Sequence, residues 1–195
     1  MNLPNTLTVS RVILTFIAAI LLCVPIKYAT LVAFVAYTVA GITDWFDGYL
    51  ARKNNIVTTF GKFMDALSDK VMVITILLVL FALNVFGEWT KFALFCAIVS
   101  MSREFFVSGI RMIASQNGIV LAAERTGKYK AAFQMYSLGA IIFSRMLEVD
   151  FCSTTECFLY QLAFYTSLIA LGISTLLSII SGYSYGRRYA YLFKA

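Results

Sequence analysis

The chain has 195 residues, 61% of them hydrophobic and only 13% charged. A water-soluble domain carries roughly 25% charged residues, so this composition argues for a single membrane domain over residues 1–195. The net charge is +6, but the basic residues are scattered among apolar stretches without interleaved aromatics, which argues against nucleic acid as a partner. Histidine is absent, and with it go His-dependent hydrolase triads, His-ligated zinc and phosphohistidine chemistry.

A bilayer-spanning helix needs about 20 mostly apolar residues, and six stretches meet that need, at about 5–25, 30–51, 63–87, 91–115, 129–147 and 158–185. The first is marginal unless Arg11 lies at the membrane interface, where a long side chain can snorkel. It runs into Cys23-Val24-Pro25 without a small-x-small cleavage site and reads as a retained helix. Beyond the fifth stretch, Cys152 and Cys157 flank a polar segment. They form a disulfide if that loop faces an oxidising compartment, or remain two separate thiols. The four cysteines show no metal-ligand spacing. The sixth stretch repeats small residues at Ala170, Ser174, Ser178, Gly182 and Gly186, a stripe for close helix approach within the bundle or, less favoured, in a dimer. The expected fold is an all-α integral membrane protein with six transmembrane helices.

Charge orients these helices. Six spans put both termini on one side, and that side collects thirteen basic residues against three on the other (Lys27, Lys91 and Arg145). By the positive-inside rule the richer side is cytoplasmic, in a cell's inner membrane.

The chemistry concentrates where the second and third stretches meet. Asp44 and Asp47 stand three positions apart, and Asp65 and Asp69 four, so each pair occupies one helix face. Four carboxylates together repel one another, and a helix C-terminus disfavours the first pair further. Arg52, Lys53, Lys62 and Lys70 offset only part of that charge. Hard divalent cations, Mg²⁺ or Mn²⁺, suit carboxylate oxygens better, and two such ions would bind a pyrophosphate and stabilise an in-line displacement. Gly48, Ala51 and Gly61 leave room for a ligand near the backbone, and Arg52 can fork onto phosphate oxygens.

The pattern Asp-x2-Asp-Gly-x2-Ala-Arg-x8-Gly-x3-Asp-x3-Asp, complete from Asp44 to Asp69, resembles the signature of the CDP-alcohol phosphotransferase family. The resemblance implies a six-helix membrane fold, usually dimeric, with a cytoplasm-facing cavity, two Mg²⁺ or Mn²⁺ ions and a CDP-linked lipid donor. It also implies roles. Asp44, Asp47, Asp65 and Asp69 surround the metals, Asp69 is in addition the general base, and Gly48, Ala51, Arg52 and Gly61 contact the CDP moiety. One departure is Ala66, where many members carry proline; it leaves every carboxylate in place.

Within the family the resemblance is to the branch that moves the phosphatidyl group of CDP-diacylglycerol to glycerol 3-phosphate. It rests on Leu3 to Arg11, Ser102-Arg103-Glu104-Phe105 with Gly109-Ile110-Arg111, and Gly127-Lys128-Tyr129-Lys130. The residue chemistry agrees. Arg103, Arg111, Lys128 and Lys130 gather cationic charge on the cytoplasmic side, suited to an acceptor that bears phosphate. Ordinary interfacial snorkelling is the competing account for about half of them, and Glu104 is expected to orient an arginine. Alternatives are a same-fold enzyme taking phosphatidylglycerol as acceptor (a cardiolipin synthase), another CDP-alcohol phosphatidyltransferase, or, remotely, a divalent-cation transporter. A transporter places its acids near mid-membrane, whereas these stand at span ends.

Overall fold

The computed structural model describes the backbone of residues 3–53, 59–116, 118–119, 121, 125–152 and 157–190. Within them, the side chains of residues 3–5, 7, 44–53, 59–63, 65–66, 125 and 152 lie outside the description. The described residues form six α-helices: α1 (Leu3–Cys23), α2 (Ala29–Lys53), α3 (Thr59–Ala82), α4 (Thr90–Gln116), α5 (Arg125–Met146) and α6 (Phe158–Tyr189). A short 3₁₀ turn, Gly87–Trp89, leads into α4, and a π-helical turn, Leu147–Cys152, follows α5. The segments Gly87–Gln116 and Phe158–Tyr189 are long and apolar enough to cross a membrane; Thr8–Cys23 and Ala29–Thr43 are shorter apolar helical runs.

Each helix falls on one of the six apolar stretches, and the end that differs most has a local cause. The third stretch continues to about residue 87 in hydropathy, but α3 stops at Ala82. Asn84 turns left-handed at φ +50°, and the Val85 N–H donates back to the Leu80 carbonyl at 3.1 Å. This is the Schellman termination, in which Asn substitutes for the usual glycine.

The chain divides into two compact units. The first comprises residues 1–86 and 138–165. Here α1 packs on both α2 and α3. Along α2 the buried positions are Ala29, Ala33, Ala36, Tyr37 and Ala40, a helical face of mostly small residues that lets a neighbour approach closely. On α3 the buried face is Met72, Val73, Ile76, Leu77 and Leu80. The opposite faces expose large apolar side chains, including Ile13, Ile20, Val32, Val35 and Leu78.

The start of α2 depends on a residue more than a hundred positions away. The Tyr28 carbonyl accepts the first helical bond, from Val32 N–H at 3.1 Å, so Tyr28 occupies the N-cap. Its phenol cannot cap, and it holds a left-handed φ of 66°. Asp150, on the π-helical turn, performs both halves of a capping box. Its Oδ1 accepts the Tyr28 N–H at 2.9 Å and its Oδ2 accepts the Leu31 N–H at 2.9 Å.

The second unit comprises residues 87–137 and 166–195. Val107, Ile110 and Ala114 of α4 pack with Tyr185 of α6. The small-residue stripe of α6 is used inside this unit. The Ser174 hydroxyl donates to the Lys130 carbonyl at 3.2 Å, and a Cβ at Gly182 would stand 3.2 Å from Arg103 Cγ.

Asp150→Ala should lower stability by about 0.5–2 kcal/mol, the range for losing an N-cap, with Asp150→Asn intermediate because the amide keeps one acceptor. Thermal unfolding in detergent micelles would measure both.

Candidate active site

The regular helix of α2 continues to Lys53, so Asp44 and Asp47, three residues apart, do share a helix face, and Gly48, Ala51 and Arg52 follow on the next turns. Helix α3 carries Gly61, Asp65 and Asp69, with the two acids one turn apart, about 6 Å along the axis. The side chains of Asp44, Asp47, Gly48, Ala51, Arg52, Gly61 and Asp65 lie outside the described residues. Asp69 is described, and its side chain is half exposed.

Asp69 is held by a residue to which sequence reasoning gave another place. Arg11 does not snorkel at an interface: its side chain is completely buried. From α1 its Nη1 donates to Asp69 Oδ1 at 2.9 Å and to Ser68 Oγ at 3.0 Å. The reason is electrostatic. A guanidinium withdrawn from water needs a counter-charge and hydrogen bonds inside the protein, and α1 contains no acid to supply them.

A donor set of four carboxylates, spaced at i,i+3 on one observed helix and i,i+4 on another, fits hard divalent cations. The expected placement at helix ends holds only in part: Asp44 and Asp47 lie in the second half of the 25-residue α2, whereas in the 24-residue α3 Asp65 lies in the second turn and Asp69 near the middle.

The second unit brings together part of the predicted cationic set. Lys130 is buried, and its ammonium is hydrogen-bonded to Glu104, whose side chain keeps 30% exposure. Arg103 lies 3.7 Å from the same carboxylate and donates to the Ser181 hydroxyl. Glu104 therefore serves chiefly as the counter-ion of Lys130, and only secondarily as the orienter of an arginine. Room for Arg103 comes from two glycines: a Cβ at Gly127 would meet its guanidinium at 3.5 Å, and one at Gly182 its Cγ at 3.2 Å. The buried Arg103 Nε has no hydrogen-bond partner among the described residues.

Arg111 stands two turns farther along α4, about 12 Å by helical rise. Its Nε donates to the Tyr185 hydroxyl at 3.3 Å, and the guanidinium lies 5.8 Å from that ring's centre. Arg111 and Lys128 are exposed. Sequence reasoning missed Ser68, Ser181 and Tyr185 as partners. Ser181 adjoins the small-residue stripe at Gly182, a signal that points to close packing but not to a hydrogen bond.

The family model of CDP-alcohol phosphatidyltransferases matches residues 1–179. A CDP-diacylglycerol–glycerol-3-phosphate 3-phosphatidyltransferase of Bacillus subtilis is 33% identical, covering 94% of this chain and 93% of its own. Proteins with the same name from Rickettsia typhi (31% identical, 94% of each chain) and Haemophilus influenzae (36%, 73% of this chain and 76% of its own) are also similar. The chain belongs to the CDP-alcohol phosphatidyltransferase family.

Lys130→Ala removes one partner of a largely buried pair, and should cost toward the lower end of the ~3–5 kcal/mol typical of such losses, since Glu104 keeps some solvent. Lys128→Ala, at an exposed position, should stay within about 0.5 kcal/mol. Replacing Glu104 and Lys130 together by Gln and Met should restore much of the loss, as read from unfolding midpoints.

Proposed function

We propose that the chain catalyses attack by the primary hydroxyl of sn-glycerol 3-phosphate on the lipid-linked phosphorus of CDP-diacylglycerol, giving phosphatidylglycerophosphate and CMP. One observation carries this reading: the relatives from three genera bear the name of this reaction, and two of them align over 94% of the chain. In the reaction the acceptor oxygen bonds to the phosphorus that bears diacylglycerol. The bond from that phosphorus to the CMP oxygen breaks, and CMP leaves.

Asp69 takes the hydroxyl proton at its carboxylate, and its half-exposed side chain supports that access. Asp44, Asp47, Asp65 and Asp69 are the residues that hold two divalent cations, Mg²⁺ or Mn²⁺. Those ions, when bound, supply charge stabilisation for the pyrophosphate and the departing CMP. Gly48, Ala51 and Gly61 leave space along the cytidine diphosphate, and Arg52 pairs with its phosphates. For the acceptor phosphate we assign Arg111 and Lys128, which are exposed, and Arg103, whose side chain keeps 12% exposure. Lys130 enters through Glu104, whose charge it balances, so that the carboxylate does not repel the acceptor.

The same reading makes the protein a six-span inner-membrane domain, working as a homodimer, with both termini in the cytoplasm. Thirteen cytoplasmic-side basic residues against three support the orientation. Helices with large apolar side chains outside and Ser100, Ser137, Ser174, Ser178 and Ser181 inside support immersion in lipid, where small and polar residues join helices together.

Purified protein should release CMP from CDP-diacylglycerol only when glycerol 3-phosphate is added, and EDTA should abolish the release. Asp69→Asn should lower kcat about 10²–10⁴-fold; near-full turnover by that variant would remove Asp69 as the base. Release driven by phosphatidylglycerol in place of glycerol 3-phosphate would reassign the acceptor.

A further inference from the structure

Arg11 is the first charged residue of the chain, and no acid precedes Asp44. Its guanidinium is nevertheless fully buried, and it finds its charge partner 58 positions away on α3. The pair is asymmetric: the cation has no exposure, whereas the Asp69 side chain is 50% exposed. A bridge meant only to join α1 to α3 has little reason to take this form. Desolvating a guanidinium is costly, and apolar side chains of similar volume would join the helices at least as well. A buried cation bonded to an outward-facing carboxylate gives what apolar packing cannot, a carboxylate held in one orientation. The second bond, from the same Nη1 to Ser68 Oγ at 3.0 Å, removes freedom from the guanidinium itself.

We infer that Arg11 is a positioning residue for Asp69, setting the orientation in which this carboxylate meets a divalent cation and the acceptor hydroxyl. The inference rests on the reaction proposed above. It makes Arg11, from the first helix, part of the machinery on the third. Groups that orient metal-binding side chains typically contribute about 10–100-fold to metal affinity or activity.

The sign of the effect separates three roles. Arg11 is a cation, so if it acted through charge alone its removal would tighten binding of a second cation. If it only joined helices, its loss would lower the unfolding midpoint and leave the metal affinity of the folded protein unchanged. If it positions Asp69, its loss weakens metal binding despite the favourable change in charge.

The test uses the full chain in detergent micelles, with Mn²⁺ binding followed by electron paramagnetic resonance of the free ion and turnover followed by CMP release. Arg11→Gln should weaken Mn²⁺ binding about 10–100-fold and lower kcat, with KM for glycerol 3-phosphate near the wild-type value. Arg11→Lys should recover part of the loss, because an ammonium restores the charge but not the planar donor geometry. Ser68→Ala should shift Mn²⁺ binding in the same direction by less. Asp69→Asn is the reference. If it weakens Mn²⁺ binding while Arg11→Gln leaves it unchanged or tighter, the positioning role is overturned and the metal assignment stands. Unchanged Mn²⁺ binding in Asp69→Asn overturns the metal assignment, and the positioning role with it. Should Arg11→Gln fail to fold, wild-type Mn²⁺ affinity in both Arg11→Lys and Ser68→Ala overturns the proposal, and weakened affinity in them supports it.

Discussion

A guanidinium with no exposure to solvent has to satisfy its charge from within the protein, and in this chain that requirement joins α1 to α3 through Asp69 and Ser68. The packing of α1 against α2 and α3 surrounds the arginine. The bond is unequal in a useful way, because the desolvated partner is the arginine and the accessible one is the acid. On α3 that acid stands one turn from Asp65, whose like charge opposes it. A buried, permanently charged partner gives Asp69 a fixed positive reference that neither pH nor salt removes easily.

The second unit handles its charges by a related rule. Lys130 is buried and balanced by Glu104, and Arg103 is accommodated by Gly127 and Gly182 while bonding Ser181. Arg111, by contrast, rests on the face and hydroxyl of Tyr185 and stays exposed. The four basic residues are therefore not equivalent. Lys130 is built into the interior, Arg103 is mostly buried with partners of its own, and Arg111 and Lys128 keep their charge at the surface.

Small and polar residues such as Ala33, Ala40, Ser100, Ser174 and Ser178 share the buried positions with large apolar ones such as Ile76, Leu80, Ile110 and Leu171, while Ile20, Val35, Leu78 and Phe95 are exposed, an arrangement consistent with lipid around the helices. Where hydrocarbon is the solvent, burying another apolar side chain gains little. Close approach and hydrogen bonds then decide the packing, as in the Ser137 bond to the Ser167 carbonyl at 2.8 Å. The Asp150 cap on α2 belongs to the same economy, since two N–H groups at a helix start are matched by one carboxylate from a distant turn.

The positions of all six helices, the i,i+3 and i,i+4 placement of the aspartates and the family were legible in the sequence. Each depends on local quantities: hydropathy over about 20 residues, helical period, and a motif within 26 positions. Even the early end of α3 has a local cause, in Asn84. Which charges are spent and which remain available was not legible, because pairing is decided between helices. Nothing near Arg11 in sequence indicates Asp69, and nothing near Tyr28 indicates Asp150. Likewise nothing near Lys130 singles out Glu104, 26 positions away. Charge counts placed Arg11 and Lys130 with the cytoplasmic cations, but the tertiary structure took both inside. Burial multiplies the cost of an unpaired charge, and only the assembled helices determine where burial falls.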